Sequence, residues 1–203
     1  MNHIYYIGGS PCCGKSTIAE KISEIYGFQY FKADDFLSTF IEMGGKEGDE
    51  WLKRISEMSL DQLWLRNPVE LNHEEHITYE KLFPYFITEL EKLNNNTPII
   101  TEGAAFLPNL INKIGVAKTR YICMVPAREF QMQHYSKRSW VNDYLSSCSD
   151  KDKAFNNWME RDVLFALSVL KQAKEKGYPT LIVDGTKDIN ENLLFIEKCF
   201  NLV

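Results

Sequence analysis

Residues Gly9 to Ser16 read G-S-P-C-C-G-K-S, which fits the pattern G-x-x-x-x-G-K-[ST] without a mismatch. That spacing suits one task, the wrapping of a polyphosphate tail. Such a tail carries dense negative charge, so its binder needs many donors and few bulky side chains. Gly8, Gly9 and Gly14 permit tight turns and close backbone approach. The amides from Cys12 to Thr17 would point inward as a nest, joined by the positive end of the helix that follows. Gly9, Ser10, Pro11, Cys12, Cys13, Gly14, Lys15, Ser16 and Thr17 are therefore expected to bind ATP. Lys15 would supply mobile charge to the β- and γ-phosphates, and Thr17 would reach the α-phosphate. Ser16 would hold Mg²⁺, an ion bound sparingly by protein and mainly by phosphate oxygens. The alternative is a chance glycine turn with a surface lysine.

The flanking elements favour the phosphate loop. Ile4-Tyr5-Tyr6-Ile7 is an apolar run just before it. Ile18, Ala19, Ile22, Ile25 and Tyr26 then fall on one helical face, with Gly27 as the stop. Further strands are expected over 28–31, 98–103, 120–125 and 180–183, and long helices over 155–176 and 190–200. The stretch 36–94 is helix-rich, with a periodic segment over 74–93, a kink expected at Pro84 and a turn at Asn94-Asn95-Asn96. Five strands with helical connections imply a parallel α/β sheet, whose function collects at the carboxyl ends of the strands. The glycine loop, Asp34, Asp35, Glu102, Arg128 and Asp184 all fall at such ends.

Length and composition set the frame. The 203 residues suit one α/β domain over 1–203, with a helical insert at about 36–94 and a polar lid at about 136–150. A net charge of -5 argues against a nucleic-acid or membrane-surface partner. No apolar run approaches a membrane span, and the first residues enter a strand without a secretory pattern. Five irregularly spaced cysteines, without a C-x-x-C pair, suit a reducing cytoplasm. Cys13, near a helix start and beside Lys15, is a candidate for a lowered thiol pKa and a redox switch. The simpler reading is that Cys12 and Cys13 are small residues whose amides matter.

The order of glycine loop, short second strand ending in D-D-F, helical region and late basic stretch resembles the nucleoside, nucleotide and small-metabolite kinases of the P-loop superfamily. Ala33-Asp34-Asp35-Phe36 is similar to the Q-D-x-F segment of uridine-kinase-like and nicotinamide-riboside-kinase-like enzymes, with Ala33 replacing the glutamine and Leu37 an aromatic. The resemblance implies a three-layer fold with a five-stranded parallel sheet in order 2-3-1-4-5. It implies ATP-dependent phosphoryl transfer to a hydroxyl of a small molecule, with Asp34 taking the hydroxyl proton. It also implies that Asp184-Gly185-Thr186 lies beside adenine and that Lys137-Arg138 belongs to a mobile lid.

Phosphoryl transfer is mostly positioning and charge neutralisation. Asp34, Lys15 and Arg138 are the catalytic candidates, and Arg128, Asp184 and Gly185 join the loop in binding ATP. Ser16, Asp35 and Glu102 are the candidates around Mg²⁺. One of Asp34 and Asp35 could instead cap the next helix. Glu102, on the strand next to the first, is favoured over Asp184 as the second acid near the metal. Trp51, Trp64, Phe36 and Phe40 are candidates to stack on an acceptor ring, though at helical spacing such residues more often build core. Lys53, Arg54 and Arg66 are candidates to meet an acceptor anion. His73-Glu74-Glu75-His76 has the wrong spacing for a metalloprotease helix and reads as a solvated helix start. A nucleoside monophosphate kinase and a non-catalytic nucleotide-binding regulator remain alternatives. A GTPase is disfavoured because Asn112-Lys113-Ile114-Gly115 lacks the aspartate that reads guanine. The acceptor and the oligomeric state are not legible.

Overall fold

The computed structural model describes residues 3–93 and 96–203. The chain runs β1 (Ile4–Gly9), α1 (Lys15–Tyr26), β2 (Gln29–Lys32), α2 (Leu37–Lys46), α3 (Glu50–Glu57), α4 (Leu60–Trp64) and α5 (Pro68–Lys92). It continues β3 (Ile99–Glu102), α6 (Pro108–Lys113), β4 (Tyr121–Pro126), α7 (Arg128–Ser136), α8 (Ser139–Tyr144), α9 (Lys151–Glu175), β5 (Thr180–Val183) and α10 (Ile189–Phe200). The five strands form one sheet in the order β2-β3-β1-β4-β5, and every pairing is parallel. This is the expected three-layer order.

All six residues of β1 are buried, because helices cover both faces of the sheet. Ile4 and Tyr6 face one core, which also takes Leu82, Phe86 and Leu90 of α5 and Phe165 and Val169 of α9. Tyr5 and Ile7 face the other, built with Ile18 and Ile22 of α1 and Ile196 and Phe200 of α10. A third cluster joins α4, α7, α8 and α9 through Trp64, Tyr135, Val141 and Trp158. The register places Glu102 opposite both Ile7 and Lys32, so the ends of three strands meet beside the glycine loop.

Several boundaries differ from expectation. The long helix of the insert begins at Pro68, with the Asn67 side chain accepting from the Val69 amide. Asn at the cap and Pro at the first position explain this start. His73 is therefore interior to α5, and His76 is no solvated residue: its ring packs on Phe165 at 5.0 Å. Helix α5 runs through Pro84. Helix α9 starts at Lys151 rather than at 155, capped by Asp150, whose side chain accepts from the Lys153 amide. The polar stretch 136–150 holds α8, and α6 was not anticipated. Residues 94 and 95 of the expected Asn94-Asn95-Asn96 turn lie outside the described residues.

Candidate functional site

The glycine loop links β1 to α1 through unusual backbone angles. Gly9 has φ 116° and Gly14 has φ 82°. A Cβ on Gly9 would overlap the Met124 carbonyl of β4, so only glycine fits. Cys12, at φ 67°, adopts the left-handed region despite its side chain. Gly14 caps α1 without a side-chain hydrogen bond, so no side chain at that cap competes for the first amides of the helix.

Lys15 is buried, and its Nζ donates to the Ser10 carbonyl at 2.7 Å. Burial pulls its pKa down, but the charges of Cys13, Glu102 and Asp34 outweigh that and raise it. Lys15 therefore stays cationic within the loop. The Ser10 hydroxyl donates to the Asp162 carbonyl of α9 at 3.3 Å, which ties the loop to that helix. The Cys13 thiol donates to the carbonyls of Ser10, at 3.1 Å, and Met124, at 3.4 Å. Burial pushes this thiol up rather than down, and Lys15 only partly opposes it. The candidate lowered pKa of Cys13 is thus corrected, since desolvation exceeds the pull of the neighbouring cation. Burial raises Cys12 as well, although Arg138 opposes.

Glu102 ends β3 almost fully buried. Its Oε1 accepts from the Ser16 hydroxyl at 3.1 Å and from the Tyr30 hydroxyl at 3.0 Å. Burial raises its carboxyl, Lys15 lowers it and Asp34 raises it further. The Ser16 hydroxyl and the Glu102 carboxylate are hard oxygen donors side by side at the start of α1. Among the described residues there is no cluster of three or more metal-ligating side chains. A two-oxygen site fits Mg²⁺, which keeps several waters and takes phosphate oxygens.

Asp34 lies in the 3₁₀ turn Ala33–Phe36 that follows β2. Its Oδ1 is 3.5 Å from where a Cβ on Gly103 would sit, so Gly103 leaves it close to the end of β3. Its charge helps raise the pKa of Lys15 and Glu102 beside the loop and of Tyr79 in α5. Asp35 is exposed and pairs with Lys32 at 3.5 Å. Arg138, at the start of α8, reaches the Cys12 Sγ at 3.7 Å and lies over the Tyr135 ring at 4.9 Å. Arg128 instead pairs with Glu160 of α9 at 2.7 Å. Asp184 accepts from the amide and hydroxyl of Thr186, and Gly185 faces the Phe130 ring. The segment after β5 approaches the loop through Ile189, whose Cδ1 is 3.6 Å from a Cβ on Gly14.

Beside the loop lies a cavity of about 440 Å³, floored by Pro11 and walled mainly by the insert and α9. Arg161 lies within it, paired with Glu75 at 2.5 Å and Asp162 at 2.8 Å. Burial raises Asp162 to about 6, with Arg161 opposing and Glu75 adding to the rise. Glu74 receives both Arg66 at 2.7 Å and Arg54 at 2.9 Å. Of the aromatics considered as candidates to stack on an acceptor, Phe36 and Phe40 stack on each other, and Trp51 donates its indole N–H to Thr78. Trp64 lines the cavity, but its ring lies between Trp158 and the Arg161 guanidinium, each at 5.0 Å.

Sequence reasoning missed Tyr30, Glu75, Tyr79, Arg161 and Asp162. One signal was available: Trp158, Arg161, Asp162 and Phe165 share a core-facing spacing on one helix, and charges there need partners. Glu75 was obscured by the two histidines that flank its pair.

No protein-family model matches the sequence, and no curated protein matches it. Solved structures do. A gluconokinase from Sinorhizobium meliloti is 13% identical with a TM-score of 0.51, over 98% of this chain and 91% of that one. A deoxyadenosine kinase from M. mycoides is 15% identical with a TM-score of 0.50, over 98% of each. A Thermus thermophilus protein is 14% identical with a TM-score of 0.52, over 98% of this chain and 96% of that one. The chain has the P-loop kinase fold.

Proposed function

We propose that this protein transfers the γ-phosphate of ATP to a hydroxyl of a small molecule. Asp34 carries the proposal. Its charge acts on Lys15 and Glu102, at the phosphate loop, and on Tyr79, which lines the neighbouring cavity. A carboxylate beside the end of β3, where Glu102 meets Ser16, suits the group that orients the attacking hydroxyl and takes its proton.

In the reaction the acceptor oxygen attacks the γ-phosphorus. The bond from that phosphorus to the β,γ-bridging oxygen breaks, and ADP leaves. Asp34 holds the acceptor proton. Lys15 turns from the Ser10 carbonyl to the β- and γ-oxygens, and the amides from Cys12 to Thr17 bind the remaining phosphate oxygens. Ser16, Glu102 and Asp35 would hold Mg²⁺, which when bound would supply positive charge to the leaving group. Arg138, already against Cys12 at the loop, adds charge from the lid side as α8 covers the site. The segment at Asp184 and Gly185 takes the adenine side, and Arg128 would join once released from Glu160. We assign this activity to one domain over 1–203 and to the cytoplasm, with ATP and a small acceptor as the partners and neither nucleic acid nor membrane.

The test is Asp34→Asn with ADP release measured across a panel of small hydroxyl compounds. Turnover on the accepted compound should fall by about 10²- to 10⁴-fold. ATP binding, followed by thermal shift with Mg²⁺, should be unchanged. Undiminished turnover would remove Asp34 from the chemistry.

A further inference from the structure

We infer that the acceptor carries neither phosphate nor carboxylate and presents an apolar, ring-sized body to the cavity beside Pro11; this rests on the kinase activity proposed above and names its substrate class. The cavity volume of about 440 Å³ suits a compact molecule. Leu37, Ile41, Ile55, Leu63 and Leu71 contribute aliphatic wall, and the aromatic remainder comes from α4, α5, α7, α8 and α9. Such walls offer little to a polyhydroxylated chain and much to a ring.

Charge decides against an anion. The cavity is lined by two cations, Arg66 and Arg161, and three acids, Glu42, Glu74 and Glu75. Both cations are already ion-paired. Arg66 shares Glu74 with Arg54, and Arg161 bridges Glu75 and Asp162. An incoming phosphate or carboxylate would have to break one of these pairs or face surplus negative charge. A neutral molecule faces neither cost, and its hydroxyl or N–H groups find ready acceptors. Glu75 is the specificity-determining residue among them, since Arg161 holds its carboxylate in one place at 2.5 Å.

Trp64 and Trp158 line the cavity, so their emission reports binding without any transfer step. The experiment titrates two matched pairs, thymidine with its 5′-monophosphate and pyridoxine with its 5′-phosphate, in the presence of Mg²⁺ and a non-hydrolysable ATP analogue. At least one neutral member should change the emission and bind about tenfold or more tightly than its phosphate. Glu42→Lys, at the exposed rim, should narrow that ratio. A phosphate bound as well as its neutral partner would overturn the inference, as would the absence of any neutral binding at millimolar concentration. The two proposals fail separately. ADP release to monophosphate acceptors keeps the kinase and removes the neutral acceptor, whereas neutral binding without ADP release for any hydroxyl compound does the reverse.

Discussion

Tyr30→Phe isolates one hydrogen bond at Glu102, the acid proposed to serve Mg²⁺. The Tyr30 hydroxyl donates to Glu102 Oε1 at 3.0 Å, and the Ser16 hydroxyl donates to the same oxygen at 3.1 Å. Both bonds favour the ionised carboxylate, while burial disfavours it. A hydrogen bond to a charged group contributes about 1.5–3 kcal/mol. Ser16 remains as a donor and Tyr30 is only part-buried, so water replaces some of the loss and the lower end applies. One pH unit corresponds to about 1.4 kcal/mol, so the Glu102 pKa should rise by about one unit. Glu102 must be ionised to serve a cation, so activity is lost as pH falls through its pKa. The acidic limb of kcat/KM should therefore move about one unit to higher pH in Tyr30→Phe, with the neutral-pH plateau retained. A limb that stays with the wild type would show that Glu102 does not control the acidic side, and its place near the metal would lose its support.

Other perturbations read other parts of the molecule. Arg138→Ala should lower kcat by about 10²-fold or more while leaving ATP affinity within a factor of about three, by steady-state kinetics and thermal shift; wild-type turnover would release Arg138 from the lid role. Gly9→Ala should destabilise by about 3 kcal/mol or more in urea unfolding, because its methyl meets the Met124 carbonyl at a positive φ. Asp162 binds its proton more tightly folded, near 6, than unfolded, near about 4. Its contribution to stability is fully present below about pH 4 and is lost as pH rises through about 6. Asp162→Asn should therefore gain stability relative to wild type between pH 4 and 7, and parallel urea midpoints for the two proteins over that range would contradict the raised pKa.

The loop and the five strands were legible because they rest on local signals, whereas the sheet order came from the resemblance to the P-loop kinases. Gly9, Gly14 and Gly27 punctuate the first βα unit, and all three adopt positive φ. Glu102 was favoured from the strand order that the resemblance implied, and it lies against Ser16. The cavity was not legible. Its key pair, Glu75 with Arg161, spans two helices that are distant in sequence, and only packing brings them together. Arg54 and Arg66 looked like free cations because a sequence shows charge but not the partner that occupies it. Cys13 misled in the same way: Lys15 is visible in the chain, whereas the burial that dominates the thiol is not.

The pairing of β1 has a consequence for biogenesis. Ile4 pairs with Ile99 and Tyr6 with Tyr121, so the first strand has no neighbour until roughly a hundred further residues have been made. At ribosomal speeds that delay is about 5 to 20 seconds. During it an apolar strand and the cysteine-bearing loop behind it stand without the sheet that later shields them. Synthesis of this chain therefore exposes the glycine-loop segment to aggregation and oxidation before the sheet closes over it, and a chaperone or a slow-folding phase is the expected companion of such long-range pairing.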